Sequence, residues 1–242
     1  MPLPRPGLPL LIAGLVGATP AAGQTACASR AAAAEPVVVE LYTSEGCSSC
    51  PPADRWLSTL KGRDGVFPLA FHVDYWDRLG WTDRFASPAW TRRQYDAAAR
   101  RRSAAVYTPQ VLVNGAEHRR WPALPTASAP SVVALSLQRD GETYRARVNR
   151  LPGAPARLAG YWAVTEDAHV TRVRAGENGG ATLHHDAVVR ELHAVAQVGD
   201  APLAFMPRSE PDPVSGPKPR QVLFVVTDAD GGRPLQAARL GC

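Results

Sequence analysis

The sequence predicts an α/β domain followed by a smaller β-rich, sandwich-like domain. Three observations carry that reading. Between residues 37 and 113, short apolar β-branched runs alternate with helical stretches. From residue 131 onward the chain holds alternating or apolar runs separated by tight turns. The proline-rich stretch "WPALPTASAP" divides the two textures. The boundaries fall at 35–121 and 131–242, behind a signal peptide at 1–28.

Residues 37–41, "VVVEL", read as a buried strand, because a short, mainly apolar, β-branched run suits a strand covered on both faces. Residues 43–46 are turn chemistry. Pro51 and Pro52 are welcome only in the first turn of a helix, so a helix starts near Cys50 and carries Trp56, Leu57 and Leu60. Residues 66–73, "VFPLAFHV", are a second strand. Ser87-Pro88 is an N-cap followed by proline at the first helical position, and that helix runs through Trp90, Tyr95 and Ala99. A strand follows at 110–113, and Asn114-Gly115 makes a hairpin turn. In the second half, "SVVALSLQRDGETYRARVN" is a hairpin by its two alternating runs. "AGYWAVTE" and "HVTRVRAGENGG" supply further strands, "AVVRELHAVAQV" fits a strand better than the helix it also allows, and "QVLFVVTDADGGRPLQAARL" closes the chain as another hairpin. The β-rich half suits a small sandwich. Strand, CxxC turn, helix, strand, helix, Thr-Pro strand and hairpin, in that order, resemble the thioredoxin fold.

The first residues set the compartment. Met1 and Arg5 precede an apolar run at 8–18 and then small residues, the order of a secretory signal peptide. The run is too short to span a bilayer, and no later run is long enough. The expected location is periplasmic or secreted, where disulfides persist. Four cysteines allow three pairings. Cys47 and Cys50 are spaced for redox work or ligation, whereas Cys27 and Cys242 stand near the two ends, where chain termini often meet. A Cys27–Cys242 clasp is therefore open alongside a Cys47–Cys50 pair, provided that signal cleavage falls after Gly23 and not after Ala28. The net charge is +5, and Lys61 and Lys218 are the only lysines. The basic run at Arg92, Arg93, Arg100, Arg101 and Arg102 lacks a nucleic-acid-binding motif beside it and reads as a solvated helix face.

A CxxC at a strand-to-helix turn places its first cysteine beside unpaired helix N–H groups and the positive end of the helix dipole, which stabilise a thiolate. Cys47 is thus the candidate nucleophile and Cys50 the resolving thiol. Glu45 is a negative neighbour that opposes the shift. The resemblance to thioredoxin-like enzymes implies two further components. Thr108 and Pro109 would form a cis-proline docking edge for an extended peptide, and Glu40, an acid on the strand before the turn, would accept a proton from Cys50. Strand alternation leaves the direction of Glu40 open. Trp76 and Trp81, in an aromatic-rich insertion, are candidates for a peptide groove or lid.

Three ordered motifs, "ELYTSEGCSSCPPAD", "FHVDYWDRLGWTDRFASPAWTRRQ" and "VYTPQVLVNG", with a weaker echo in "GENGGATLHHDAVVREL", are similar to a family of secreted bacterial thioredoxin-like proteins of undetermined activity. Pro122, Pro125 and Pro130 interrupt a segment where that family carries a longer helix. The reading is an exported thiol–disulfide oxidoreductase-like protein whose partners are exported protein or peptide thiols and disulfides, with no cofactor and no metal. Two other classes stay open. One is a copper-type metal chaperone using Cys47, Cys50 and His72. The other is a peptide- or protein-binding module whose CxxC is a static disulfide. His184, His185 and His193 have no cysteine nearby and lack zinc-site spacing.

Overall fold

The computed structural model describes residues 1, 27–126, 129–210, 214 and 216–242. The signal peptide lies almost wholly outside the described residues.

In chain order the strands and helices are β1 (Ala28–Arg30), β2 (Val37–Thr43), α1 (Pro51–Ser58), β3 (Val66–His72), α2 (Pro88–Arg100), β4 (Gln110–Val113) and β5 (Ala116–Glu117). A single 3-10 turn, Asp77–Leu79, lies between β3 and α2. The remainder is β6 (Val133–Asp140), β7 (Thr143–Arg150), β8 (Leu158–Glu166), β9 (His169–Arg172), β10 (Thr182–His185), β11 (Val188–Val195), β12 (Leu203–Phe205), β13 (Arg220–Asp228) and β14 (Pro234–Leu240).

Eight of these strands form one sheet in the order β14-β13-β8-β11-β3-β2-β4-β5. Within it β2 runs parallel to β3, and β11 parallel to β3 through Val188 and Ala70, while the other pairs are antiparallel. A second sheet, β1-β6-β7-β12, packs over β8, β13 and β14, and β9 with β10 forms a separate hairpin. This corrects the expected α/β thioredoxin-like domain followed by a smaller sandwich-like domain. The described chain is mainly β, with two α-helices against fourteen strands, and its principal sheet draws strands from both halves of the sequence. The physical reason is the free edge of β3. An unpaired edge leaves a row of backbone N–H and C=O groups to satisfy, and β11 satisfies it, with the Ala70 N–H donating to the Ala187 carbonyl at 2.8 Å. Local periodicity cannot reveal which distant strand will do so.

The two faces of the large sheet are covered differently. On one face, Val37, Val39 and Leu41 of β2 pack with Ala53, Trp56 and Leu57 of α1. On the same face, Trp162 and Val164 of β8 and Phe224 of β13 meet Leu135, Leu137, Tyr144 and Val148 of the smaller sheet. On the other face, Val38 and Tyr42 join Phe71, Tyr161 and Val225, with α2 adding Ala97. Full burial of each large apolar side chain is worth about 1.5–3 kcal/mol, so these layers supply the main cohesion.

Local chemistry sets the helix starts. Pro51 and Pro52 open α1 behind Cys50, which provides no side-chain cap. Ser87 caps α2, its hydroxyl accepting from the Ala89 N–H at 3.2 Å, and Pro88 follows. Asn114 and Gly115 take φ of 48° and 80°, as the β4–β5 hairpin turn requires. The Asn114 side chain also fixes β2, accepting from the Val38 N–H and donating to the Pro36 carbonyl, both at 2.8 Å. A disulfide joins Cys27 to Cys242 across a sequence separation of 215.

Two outcomes test this architecture. Gly160 lies where an added Cβ would stand 2.6 Å from the Val225 carbonyl oxygen and 2.9 Å from the Phe224 ring. Gly160→Ala should therefore cost about 1–3 kcal/mol, read as a lower midpoint in urea unfolding, and an unchanged midpoint would mean that β8 and β13 are not held so closely. Replacing Cys27 and Cys242 by serine should cost about 2–5 kcal/mol in the same assay.

Candidate functional site

The turn between β2 and α1 is tightly wound. The Cys47 N–H donates to the Ser44 carbonyl and the Cys50 N–H to the Cys47 carbonyl, both at 3.2 Å. A disulfide joins Cys47 to Cys50 with their Cα atoms 5.4 Å apart. Ser48 and Ser49 between them are exposed, yet both cysteines are 0% exposed. The Ser49 hydroxyl stands 3.3 Å from the Cys47 sulfur. Enclosure of Cys47 is a departure from the solvent-facing first cysteine that CxxC chemistry leads one to expect.

The cover comes from the second half of the chain. The connection between β9 and β10, "GENGG" at 176–180, lies over the turn. The Asn178 side-chain amide donates to the carbonyls of Glu45 and Cys47, each at 2.9 Å. The Glu177 carboxylate accepts from the Ser48 N–H at 2.9 Å, and this bond holds its pKa below the ordinary value. Gly176 approaches Trp81 so closely that a Cβ there would meet the Trp81 Cβ at 3.1 Å. Trp81 in turn donates its indole N–H to Glu45 Oε2 at 2.8 Å. On the other flank, Trp76 packs against Gly46 and donates its indole N–H to the Thr108 hydroxyl at 2.8 Å. The Thr108–Pro109 peptide is cis. Trp76, Trp81 and Thr108 therefore all tie into the CxxC surroundings.

Glu40 lies elsewhere. It shares the parity of Val38 and Tyr42 on β2, whereas α1 covers the face of Val39 and Leu41. Its carboxylate pairs with Arg93 of α2 and accepts from the Tyr42 hydroxyl at 3.4 Å. The Arg93 guanidinium lies over the rings of Phe71 and Tyr161, 5.0 and 4.8 Å from their centroids. Glu40 thus serves the junction of α2 with the sheet.

The acids and imidazoles near the cysteines are different residues. Glu45, Asp54, His72, Asp83 and His185 are all buried, between 0% and 6% exposed. Asp83 is their hub. Its Oδ2 accepts from the Glu45 N–H at 2.8 Å and lies 2.7 Å from His72 Nδ1, and its Oδ1 accepts from the Phe85 N–H at 2.9 Å. Burial pushes the Asp83 pKa up, but His72 and these N–H groups outweigh it and hold the carboxyl below its ordinary value. For His72, burial opposes the charge, but Asp83, Asp54 and Glu45 overcome that and raise its pKa. Asp54 goes the other way. Burial raises its pKa, and His185, His72 and the Thr43 hydroxyl offset only part of the rise. His185 ends β10, and its Nε2 is 3.4 Å from Glu45 Oε1.

Sequence reading singled out Cys47, Cys50, Trp76, Trp81, Thr108 and Pro109, and it treated Glu45 only as an unfavourable charge. Asp54, Asp83 and Asn178 carry no role in that reading, and His185 is set aside there as lacking zinc-site spacing. Asn178 and His185 both lie in "GENGGATLHHDAVVREL", so the resemblance of that stretch to the same family was the available signal. His72, weighed as a copper ligand with the cysteines, instead turns Nδ1 to Asp83, and the two cysteines are joined to each other.

A family model described as "Protein of unknown function (DUF1223)" matches residues 38–226. No curated protein matches the chain. The crystal structure of a protein from Agrobacterium tumefaciens, a structural-genomics target, is similar at 27% identity over 86% of this chain and 94% of that one, with a TM-score of 0.63. HBP35 of Porphyromonas gingivalis is similar at 15% identity over 87% of this chain and 76% of its own, with a TM-score of 0.57. That second likeness concerns the fold alone.

If residues 176–180 govern access to the disulfide, Asn178→Ala removes two hydrogen bonds that hold them shut. At about 0.5–1.5 kcal/mol each, their loss should speed reduction of Cys47–Cys50 by dithiothreitol roughly 5- to 150-fold. An unchanged rate would show that reductant reaches the sulfurs by another route.

Proposed function

The chain belongs to the DUF1223 family of proteins of unknown function, and we propose that it is an exported protein that exchanges disulfides with other exported proteins or peptides through Cys47 and Cys50. The observation that carries this reading is the Cys47–Cys50 disulfide at the start of α1, closed over only two residues. The charged, apolar and small-residue order of residues 1–23 supports export, and cleavage after Gly23 would leave Cys27 in place to pair with Cys242. No helix among the described residues is long and apolar enough to cross a membrane.

The chemistry balances without a cofactor. A thiolate of a partner dithiol attacks the Cys47 sulfur. The Cys47–Cys50 bond breaks, a partner–Cys47 disulfide forms, and Cys50 leaves as a thiolate and takes up a proton. The partner's second thiolate then attacks the partner sulfur of that mixed disulfide. The partner gains its own disulfide, and Cys47 leaves as a thiolate stabilised by the N-terminal N–H groups of α1. Two electrons pass from partner to protein. The reverse sequence reduces a partner disulfide, and the relative reduction potentials set the direction. In this reading Trp76, Trp81, Thr108 and Pro109 border the partner's docking edge, and residues 176–180 swing aside to admit it. Glu40, engaged by Arg93, is left out of proton transfer.

One observation favours a second reading. Both sulfurs are enclosed, and the cover is latched by Asn178 and Glu177. A permanently closed cover would make the disulfide a static brace in a protein-binding module. The two readings separate in a trapping experiment in the exporting host. Cys50→Ala should accumulate dithiothreitol-sensitive adducts with exported proteins on a non-reducing gel, because nothing resolves the mixed disulfide. Cys47→Ala should accumulate few. An equally sparse pattern from both variants would sink the exchange reading and leave the static brace.

A further inference from the structure

We infer that Asp54, His72 and His185 form a binding site for a divalent first-row metal cation, of which zinc is the natural probe, in the buried space beside the Cys47–Cys50 turn. Each of the three offers a ligand atom, and these atoms lie within 4.8 Å of one another. All three residues are buried, at 6%, 1% and 2% exposure. No local pattern marks the set, because the three lie on α1, β3 and β10 and meet only in the fold.

Two of the three prospective ligands are already held by a partner on the far side. His72 faces Asp83 through Nδ1 at 2.7 Å, while its Nε2, also buried, has no hydrogen-bond partner among the described residues. Metal-binding histidines characteristically give their other ring N–H to a carboxylate, which fixes the tautomer and aims the free nitrogen. Asp54 accepts the Thr43 hydroxyl on Oδ2 at 3.0 Å and turns Oδ1 toward His185 Nδ1, 4.0 Å away. Among the described residues His185 has no hydrogen-bond partner at either ring nitrogen, and its Nε2 faces Glu45 Oε1 at 3.4 Å. A buried imidazole with neither nitrogen satisfied is costly. A cation on Nδ1, with the Nε2 proton left to Glu45, satisfies both.

Charge and dielectric point the same way. Glu45, Asp54 and Asp83 bring three carboxylates into a closed space that holds two imidazoles, so a dication offsets most of the negative charge when the imidazoles are neutral. The Phe85 ring walls the site, with its centroid 5.2 Å from that of His72 and 5.8 Å from that of His185. An apolar wall of this kind keeps water from competing for the ion. Two imidazoles and a carboxylate suit zinc and its first-row neighbours, and three protein ligands leave one position open. Tetrahedral bonds of about 2.0–2.2 Å bring ligand atoms to within about 3.4 Å, so the three side chains draw together on binding.

This inference is separate from the exchange chemistry, and its test uses the oxidised protein, in which the thiols are tied up. Untagged wild-type protein, stripped with chelator and dialysed, is titrated with zinc by calorimetry. The expected result is one zinc per chain. Asp54→Asn and His185→Gln should each weaken binding at least 100-fold, and Asp83→Asn about 10- to 100-fold through the loss of support for His72. His184→Gln, at the exposed neighbour of His185, should bind as wild type does. Circular dichroism checks that each variant is folded. For any that is not, cobalt titrated into the wild-type chain should give the strong visible bands of a low-symmetry, four-coordinate site with nitrogen and oxygen ligands. Absence of zinc binding by the oxidised wild-type protein, undiminished binding by folded Asp54→Asn and His185→Gln variants, or a cobalt spectrum of the weak octahedral kind would each overturn the assignment.

Discussion

The pairing of β3 with β11 is the constraint on which the rest of the structure depends. It is a brief contact, set by Val188 beside Ala70 and by the Ala70 N–H donating to the Ala187 carbonyl. Through it the antiparallel strands β11, β8, β13 and β14 extend the sheet begun by β3, β2, β4 and β5. Because β10 and β11 are joined by a short connection, the same contact brings the β9–β10 hairpin against α1. Asn178 then reaches the backbone of the CxxC turn, and His185 reaches the space between Asp54 and His72. The cover and the buried imidazole are consequences of one strand finding one edge.

Asp83 has a comparable role on a smaller scale. It lies outside every strand and helix, yet it orients His72, secures the backbone at Glu45 and closes its own loop at Phe85. A buried carboxylate is costly unless it is paired and hydrogen-bonded. Asp83 meets that condition by joining the aromatic-rich insertion to the CxxC turn, and it thereby fixes the spacing between the insertion and the cysteines. Trp81 and Trp76 repeat the pattern, each sending an indole N–H to a polar atom close to the turn. The insertion therefore contributes directed hydrogen bonds as well as apolar bulk.

Much of the local structure was legible in the chain. The start of α1 follows from Pro51 and Pro52, the start of α2 from Ser87 and Pro88, and the β4–β5 turn from Asn114 and Gly115, because each rests on backbone preferences that act within a few residues. The closeness of Cys47 and Cys50 is likewise a local matter. Glu40 shows where such reasoning stops. Its place on β2 was readable, but its face depended on how the turn sets the register of α1, and alternation put it with Arg93 on the opposite side of the sheet. The α/β reading of the fold failed for a related reason. Apolar periodicity marks strands without saying which strands pair.

What the sequence by itself determined was most of the elements and the closeness of Cys47 and Cys50 at a strand-to-helix turn, since propensity, capping and cysteine spacing are properties of neighbouring residues. What only the tertiary structure decided was how those elements are shared and enclosed: one eight-stranded sheet in place of two separate layers, both sulfurs covered by residues 176–180, and Asp54, His72, Asp83 and His185 gathered around a single buried space. Those outcomes rest on long-range strand pairing and on the need of buried polar groups for partners. Both are satisfied by residues far apart in the chain, and no local pattern records the match.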